Sequence, residues 1–599
     1  MARIGIFMDA LKGSIPLPFR ERIALMIGGL PDIGFCLQDE DLASPGGLER
    51  MAKRLEKGDV ERVVVIGGNP KFYESSFLKL GISAAMNPYL FSVANIRDQA
   101  LLMETDAEGA LEKAKEIMMK AVRMASLLKP IETDSLPLKP EVLVLGGGIV
   151  GISISLELAR SGIRVVLVEK GERLGGRALE LRTFYNRPVE VHKWIDEKIS
   201  EVNKTSNITV LTQAELKALE GHLGRFQARV KMTDGGVTAF SPSVIVVATG
   251  YETRHEATGI YGHKRIVAFP EMERLLAVAG AEDFQPLQPL QWEGKPVQTV
   301  TYLLDEVNQD IKVDSINTIK QSLALQETFQ CQVAVLCKDV KVSTDGMERL
   351  YRRAREKGVL FFKYEEAPKL SIVNGQIRID VKDTAAIRKE EQWPVSILSD
   401  LVVVSEAFVS APEAEHLSRI LRLHLGNRGF LMEDNPQLLR VRSNRRGIFV
   451  AGGCRFPQEV SESLIEARAV AQEVVALLAK GAYPYDLAVA EVDPKKCAVC
   501  YTCPRLCPHS AITVEKYAER NIYAPPGATG GITWWAAKVD PVACYGCGIC
   551  VAECPAKAIT FRHLTDEQIY AQMNLTDGWG EAEKRRRDEK EETKIPNAK

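Results

Sequence analysis

The chain has almost no net charge: 77 lysines and arginines face 79 aspartates and glutamates, leaving −2 at pH 7. So even a balance excludes a global electrostatic attraction to nucleic acid or anionic lipid. There is no run of about 18 apolar residues, so no segment is expected to span a membrane. The first residues, Met1 to Ile15, lack the basic start, apolar middle and small-residue cleavage site of a secretory signal. They read instead as a strand and a turn, and the expected location is cytoplasmic. Histidine is scarce, eight in 599 residues, and isolated. No Ser–His–Asp set or carboxylate pair stands out, and no side chain is put forward as a catalytic acid, base or nucleophile. Outside one stretch there are only four cysteines, Cys36, Cys331, Cys337 and Cys454. Cys331 and Cys337 sit too far apart along one extended strand to form a redox pair and are read as structural.

At 599 residues and 46% hydrophobic content the chain can build several cores. Residues 1–138 read as an N-terminal α/β domain, with ARIGIFM and ERVVVIGG as strands and GGLERMAKRLEKG and EGALEKAKEIMMKAVRMASLL as amphipathic helices. A linker with proline and acidic residues, KPIETDSLPLKPE, closes it. Residues 139–254 and 430–485 read as two parts of one dinucleotide-binding domain. Residues 255–429 form an inserted second dinucleotide-fold-like lobe, with VQTVTYLL, a helix around Ile319 to Leu325, and CQVAVLC. Residues 486–566 form a cysteine-rich domain, and 567–599 a charged tail of solvated helix or disorder.

The other eight cysteines fall between Cys497 and Cys554, as CAVCYTCPRLCP and CYGCGICVAECP. Both copies have the spacing C-x2-C-x2-C-x3-C-P. A [4Fe–4S] cubane needs four thiolates; three from one short loop wrap a cluster, and the fourth crosses to the other cluster. That assigns Cys497, Cys500, Cys503 and Cys554 to one cluster, and Cys544, Cys547, Cys550 and Cys507 to the second. Zinc sites would use two pairs of ligands rather than this run ending in proline. Disulfides would spread their cysteines through a small secreted domain. Trp534 and Trp535, between the copies, are assigned to a surface or a partner contact.

The second motif is EVLVLGGGIVGISISLELARSGIRVVLVEKGERLGGR. Gly146 permits a tight turn, Gly148 lets backbone approach a pyrophosphate at the helix N-terminus, and Gly151 packs helix on strand. Glu169, at the end of the next strand and followed by Lys170, is placed to accept hydrogen bonds from a ribose. Gly176 and Arg177 follow in a turn that runs beside the cofactor in FAD enzymes. Thr249 and Gly250 fit the strand end that closes such domains, and Gly452 and Gly453 the late turn that reaches the ribityl chain. That turn usually ends in aspartate, and here Gly453 replaces it. Cys454 is read as a packing residue. The order and spacing favour FAD. The expected class is therefore α/β: a FAD-binding dinucleotide fold of thioredoxin-reductase type, with an N-terminal α/β domain and a C-terminal ferredoxin-like domain of two clusters. The middle strand is followed by DEVNQDIKVD, with no glycine loop for a nicotinamide dinucleotide.

In this order the motifs resemble the A-type flavoprotein family of heterodisulfide reductase, up to about residue 565. NPYLFSVANIRDQ, DSINTIKQSLALQE, GMERLYRRAREKGVLFF, GIFVAGG and the paired cysteine motif carry the resemblance. It implies an oxidoreductase: an electron-transfer subunit moving electrons between FAD and two [4Fe–4S] clusters, linked in some members to flavin-based bifurcation. Implied partners are heterodisulfide-reductase-like B/C-type subunits or other redox subunits, in a hetero-oligomer or a dimer of complexes. Where the family often has cysteines for an N-terminal cluster, this chain has Asp9, Leu11, Ala43 and Gly68. Asp314 and Ser315 replace a cysteine-rich stretch before the IKQ helix. A second reading is an NAD(P)H-dependent ferredoxin-linked oxidoreductase resembling the small subunit of glutamate synthase. A third is a scaffold that relays electrons through its ferredoxin alone.

Overall fold

Apolar runs such as IGIFMD, RVVVIG, EVLVL and LVVV become parallel strands buried on both faces. The computed structural model describes residues 3–27, 32–73, 76, 86–185, 190–254, 259–279, 289–304, 311–384, 393–520 and 531–573. The chain forms two compact units, Met1–Asp134 with Pro484–Lys599, and Ser135–Tyr483. Among the described residues no helix is long and apolar enough to cross a membrane.

The second unit holds two lobes of one design. In the first, five parallel strands lie in the order Ile448–Val450, Val244–Val247, Glu141–Leu145, Arg164–Val168 and Ile208–Leu211. An antiparallel meander, Ala214–Glu220, Gln227–Met232 and Val237–Phe240, precedes the return to the sheet. The second lobe repeats this with Ile266–Ala268, Leu401–Val404, Thr299–Leu303, Gln332–Cys337 and Leu360–Lys363, plus its own three-stranded meander. The expected boundary at 429/430 falls too late. The chain rejoins the first lobe at Ala407–Ser410, which pairs with Tyr251–Arg254, and Leu417, Leu421 and Leu423 enter the first lobe's core. The loop 305–310, expected to lack a phosphate cradle, lies outside the described residues.

The first unit joins the N-terminal domain to the cysteine-rich domain. Its parallel sheet has the order Ile33–Asp39, Ile4–Asp9, Arg62–Gly67, Phe91–Asn95. Helix Pro45–Leu55 starts at Ser44, whose hydroxyl accepts from Gly47 N. The segment NPYLF ties the domain's exit: Asn87 bonds both the N–H and the carbonyl of Ile131. Tyr89 donates to Asp486 at 2.6 Å and meets the His563 ring. The linker contains a strand, Thr133–Pro137, with Leu136 buried. The charged tail begins as a docked helix, Asp566–Met573, not a solvated one. Gln568 is 2% exposed and its amide donates to the Leu127 carbonyl at the end of helix Ala107–Leu127. Residues 574–599 lie outside the described residues.

At the C-terminal ends of strands Ile4–Asp9 and Arg62–Gly67, a buried Asp9–Tyr73 pair fills the sheet edge. The Tyr73 hydroxyl donates to Asp9 at 2.9 Å and accepts from Gly68 N, while Leu11 N and Leu42 N also donate to Asp9. Burial pushes the Asp9 carboxyl up from its ordinary value, against the pull of these donors. The folded form therefore holds its proton more readily than the unfolded form. Asp9 contributes most below the unfolded value of 3.8, and that contribution is lost as pH rises through the raised folded value. Tyr73→Phe is expected to lower stability by about 1–3 kcal/mol, because it leaves a buried carboxylate short of a donor. Urea unfolding of the full chain at several pH values checks this, and an unchanged midpoint would refute the role given to the pair.

Candidate functional site

In the first lobe the glycines do different work. Strand Glu141–Leu145 ends in Gly146, whose φ of 105° belongs to the region that favours glycine. A Cβ on Gly151 would collide with the Gly146 carbonyl oxygen, so the helix Ile149–Arg160 lies directly on the turn. Gly148 is the helix N-cap; it has extended backbone, no side-chain cap, and nothing within 4 Å of where a Cβ would point. The helix therefore presents N–H groups and open space to a cavity of about 350 Å3.

Of the sequence-derived residues, Gly146, Gly148, Glu169, Lys170, Gly176, Arg177, Thr249, Gly250 and Gly453 line this cavity. Gly151 lies beneath it. Gly452 is turned away: its N–H donates to Glu466 at 2.5 Å, and Glu466 is held by buried Arg455, which also pairs with Glu433. Glu169 accepts from Gly147 N at 2.6 Å and Gly171 N at 2.7 Å, which fixes its carboxylate at the cavity wall. Lys170 forms a 2.8 Å ion pair with Glu413 at the rim. Arg177 lies 5.2 Å over the Tyr251 ring and donates to Thr253.

The residues fit a dinucleotide cofactor. Thr249 Oγ1 is buried and, among the described residues, has no hydrogen-bond partner, as expected of a hydroxyl kept for a ligand. A side chain at Gly453 would collide with the Tyr251 ring, so Tyr251 stands where the usual aspartate would need room. Burial pushes the Tyr251 phenol up to about 12, and it stays neutral. Cys454 is buried in the lobe's core, bonded to Val247 O and Ala451 O, with its thiol pushed up to about 12 by burial. Sequence reasoning misses Tyr251, Asn317, Phe408 and Gln458 as lining residues, and it marks Asp314 only as a replaced cysteine.

Cys503 and Cys550 are buried in one small core, against which Cys497, Cys507, Cys544 and Cys554 pack. Burial pushes Cys503 up to about 11, and Cys497, Cys500 and Cys554 are its neighbouring thiols. Burial pushes Cys550 up to about 12, with Cys544, Cys507, Cys547 and Cys503 as its neighbouring thiols. A small cavity is lined by Cys507, Cys544, Cys547 and Cys550, the four residues expected from the spacing to share one cluster. The loops bend by left-handed residues at equivalent positions: Val499 and Gly546, Tyr501 and Gly548, Ser510 and Lys557. Matching N–H groups, Ala511 to Cys507 and Ala558 to Cys554, reach the sulfurs at 3.3 Å. This donor set, with N–H···S support, fits iron–sulfur clusters. The N-terminal sheet edge does not: the Asp9–Tyr73 pair occupies it, and Cys36 is packed against the domain core.

Residues 144–194 match a family described as NAD(P)-binding Rossmann-like domain, and residues 496–559 one described as 4Fe-4S dicluster domain. A relative in Archaeoglobus profundus, similar to the A-type component of heterodisulfide reductase, is 26% identical, over 86% of this chain and 92% of its own. The second A-type iron-sulfur component of the CoB--CoM heterodisulfide reductase of Methanopyrus kandleri is 27% identical, over 79% and 85%. Over most of its length the chain is similar to the A-type components of heterodisulfide reductase. It is an iron–sulfur flavoprotein and an oxidoreductase. Among solved structures, thioredoxin reductase of Lactococcus lactis aligns with 57% of this chain and 100% of its own, at 18% identity and a TM-score of 0.40.

Gly148 separates folding from cofactor binding. Because its backbone is extended and its Cβ direction open, Gly148→Val is expected to fold normally yet retain flavin about tenfold less well, a loss of about 1.4 kcal/mol. Gly151→Val is expected to misfold. Flavin absorbance per chain and a thermal melt on both variants decide it; full flavin in Gly148→Val would remove the pyrophosphate from this turn.

Proposed function

We propose that this chain is the flavin- and cluster-bearing electron-transfer subunit of a larger heterodisulfide-reductase-like complex, with one FAD and two [4Fe–4S] clusters. The observation that carries the reading is one small cavity lined by Cys544, Cys547 and Cys550 of the second motif copy and Cys507 of the first, on a chain that also has the glycine-lined cavity. Flavin supplies a centre that takes electrons in pairs and passes them singly. The residues of this chain bind and orient it. The N-terminus of helix Ile149–Arg160 would hold the pyrophosphate, Glu169 would accept from the ribose hydroxyls, and Thr249 would bond a polar group of the cofactor. Arg177 and Tyr251 form one wall. No side chain is given a proton-transfer step.

Partners of B/C type or other redox subunits, in a hetero-oligomer, follow from the family, as does a cytoplasmic location. The names of the relatives, reductases of a heterodisulfide, support the class of complex. Asp9, Leu11, Ala43 and Gly68 stand where the resemblance implies cysteines for an N-terminal cluster, which speaks against bifurcation by this chain.

Anaerobic purification with flavin and iron quantitation tests the reading. The expected result is one FAD and about eight iron per chain, bleached by dithionite but not by NADH or NADPH. Prompt bleaching by a nicotinamide would replace it with the NAD(P)H-dependent reading, and iron without flavin would leave only a ferredoxin relay.

A further inference from the structure

The two copies of the cysteine motif align residue for residue, from Asp493 with Asp540 to Ile512 with Ile559, so each surrounding side chain has a counterpart. Backbone support is matched. Ala537 N and Ala558 N donate to Cys497 and Cys554 of one expected set at 3.4 and 3.3 Å. Gly546 N and Ala511 N donate to Cys544 and Cys507 of the other at 3.4 and 3.3 Å. The side chains are not matched, and they differ in one direction.

Beside Cys497, Cys500 and Cys503 the chain gathers positive charge and a hydroxyl. Lys495 and Lys496 are exposed, where the second copy has buried Val542 and Ala543. Arg505 lies close enough to Cys500 to stabilise its thiolate, and its counterpart is Ala552. Leu506, next along, is matched by Glu553. The Thr502 hydroxyl donates to Cys500 Sγ; its counterpart, Ile549, has no side-chain donor. Cys497 also lines an open groove of about 770 Å3, so water reaches this set. Beside Cys507, Cys544, Cys547 and Cys550 the opposite holds. The His509 and Tyr545 rings stack, with centroids 4.0 Å apart and planes 19° from parallel, and both residues line the same small cavity as the four cysteines. Their counterparts are Ala556 and Ala498.

A four-thiolate cubane carries net negative charge, and reduction adds one unit more. Donors to sulfur, nearby cations and water stabilise the added charge and raise the potential; a dry cover lowers it. We infer that the pair is graded: the cluster of Cys497, Cys500, Cys503 and Cys554 has the higher potential and that of Cys507, Cys544, Cys547 and Cys550 the lower, with Thr502 and Tyr545 as the positioning residues that set the difference. The inference rests on the electron-transfer reading above. One electron on the reduced second cluster therefore passes to the oxidised first. No bond forms or breaks and no proton moves.

The test uses the full-length, cluster-loaded protein in a mediated redox titration followed by electron paramagnetic resonance, with iron content confirming that each variant is loaded. The expected result is two one-electron steps at least tenfold apart in equilibrium constant, about 59 mV. Thr502→Val lowers the upper step and leaves the lower. Tyr545→Ala raises the lower step and leaves the upper. Thr502→Ser and Tyr545→Phe, which keep the hydroxyl and the ring, leave both in place. Lys495→Gln, at an exposed site, lowers the upper step more than the lower and serves where Thr502→Val loads poorly. Steps closer than tenfold, or loaded variants that move the other step or neither, would overturn the gradient and leave the electron-transfer reading standing. Absence of iron from the unmodified chain would overturn both.

Discussion

The contact of the Gly146 carbonyl with the Gly151 backbone holds the first helix of the second unit onto its strand, and the cofactor cavity depends on it. With the helix pressed down, its uncapped N-terminus opens between Glu169 on one side and Thr249 on the other. Register in the parallel sheet does the rest. Strand Val244–Val247 pairs with Glu141–Leu145 in step, so the turn after Val247 arrives level with the glycine turn. Any side chain at position 151 would lift the helix and move every donor aimed at the cavity.

What the sequence made legible is local chemistry. Eight cysteines at fixed spacing, and glycines between a strand and a helix, state their geometry within a few residues. What stayed hidden is brought in from afar. Tyr251 becomes a wall because Gly453 leaves it room, and neither residue announces the other across two hundred positions. Asp314 and Asn317 reach the cavity from the start of helix Ile311–Phe329 in the other lobe. Leu417, Leu421 and Leu423 show helical spacing, but spacing does not say which of two similar lobes they join, which is why the expected boundary falls too late. Helix Asp566–Met573 reads as tail because its anchors are amides, Gln568 and Gln572, rather than an apolar stripe.

At the edge of the N-terminal sheet a buried carboxylate serves packing. Asp9 cannot serve as a soft sulfur ligand, and its carboxylate is saturated by two backbone N–H groups and the Tyr73 hydroxyl. The part of this domain that carries the family resemblance most clearly, NPYLF, acts as a clasp: Asn87 on the domain's own exit, Tyr89 on Asp486. Through Tyr89 and the Leu127 carbonyl the domain bonds to the segments on either side of the cysteine-rich region.

The first unit is discontinuous, made of the chain's beginning and its end. On a ribosome, the N-terminal sheet emerges long before the segment from Pro484 that shares its unit. Tyr89 and the Leu127 carbonyl wait through the synthesis of an entire second unit for Asp486 and Gln568. Contacts of such separation form late and slowly. The residues that line the cofactor cavity all precede Pro484 and the eight clustered cysteines all follow it, so synthesis supplies the flavin site before any thiolate for iron.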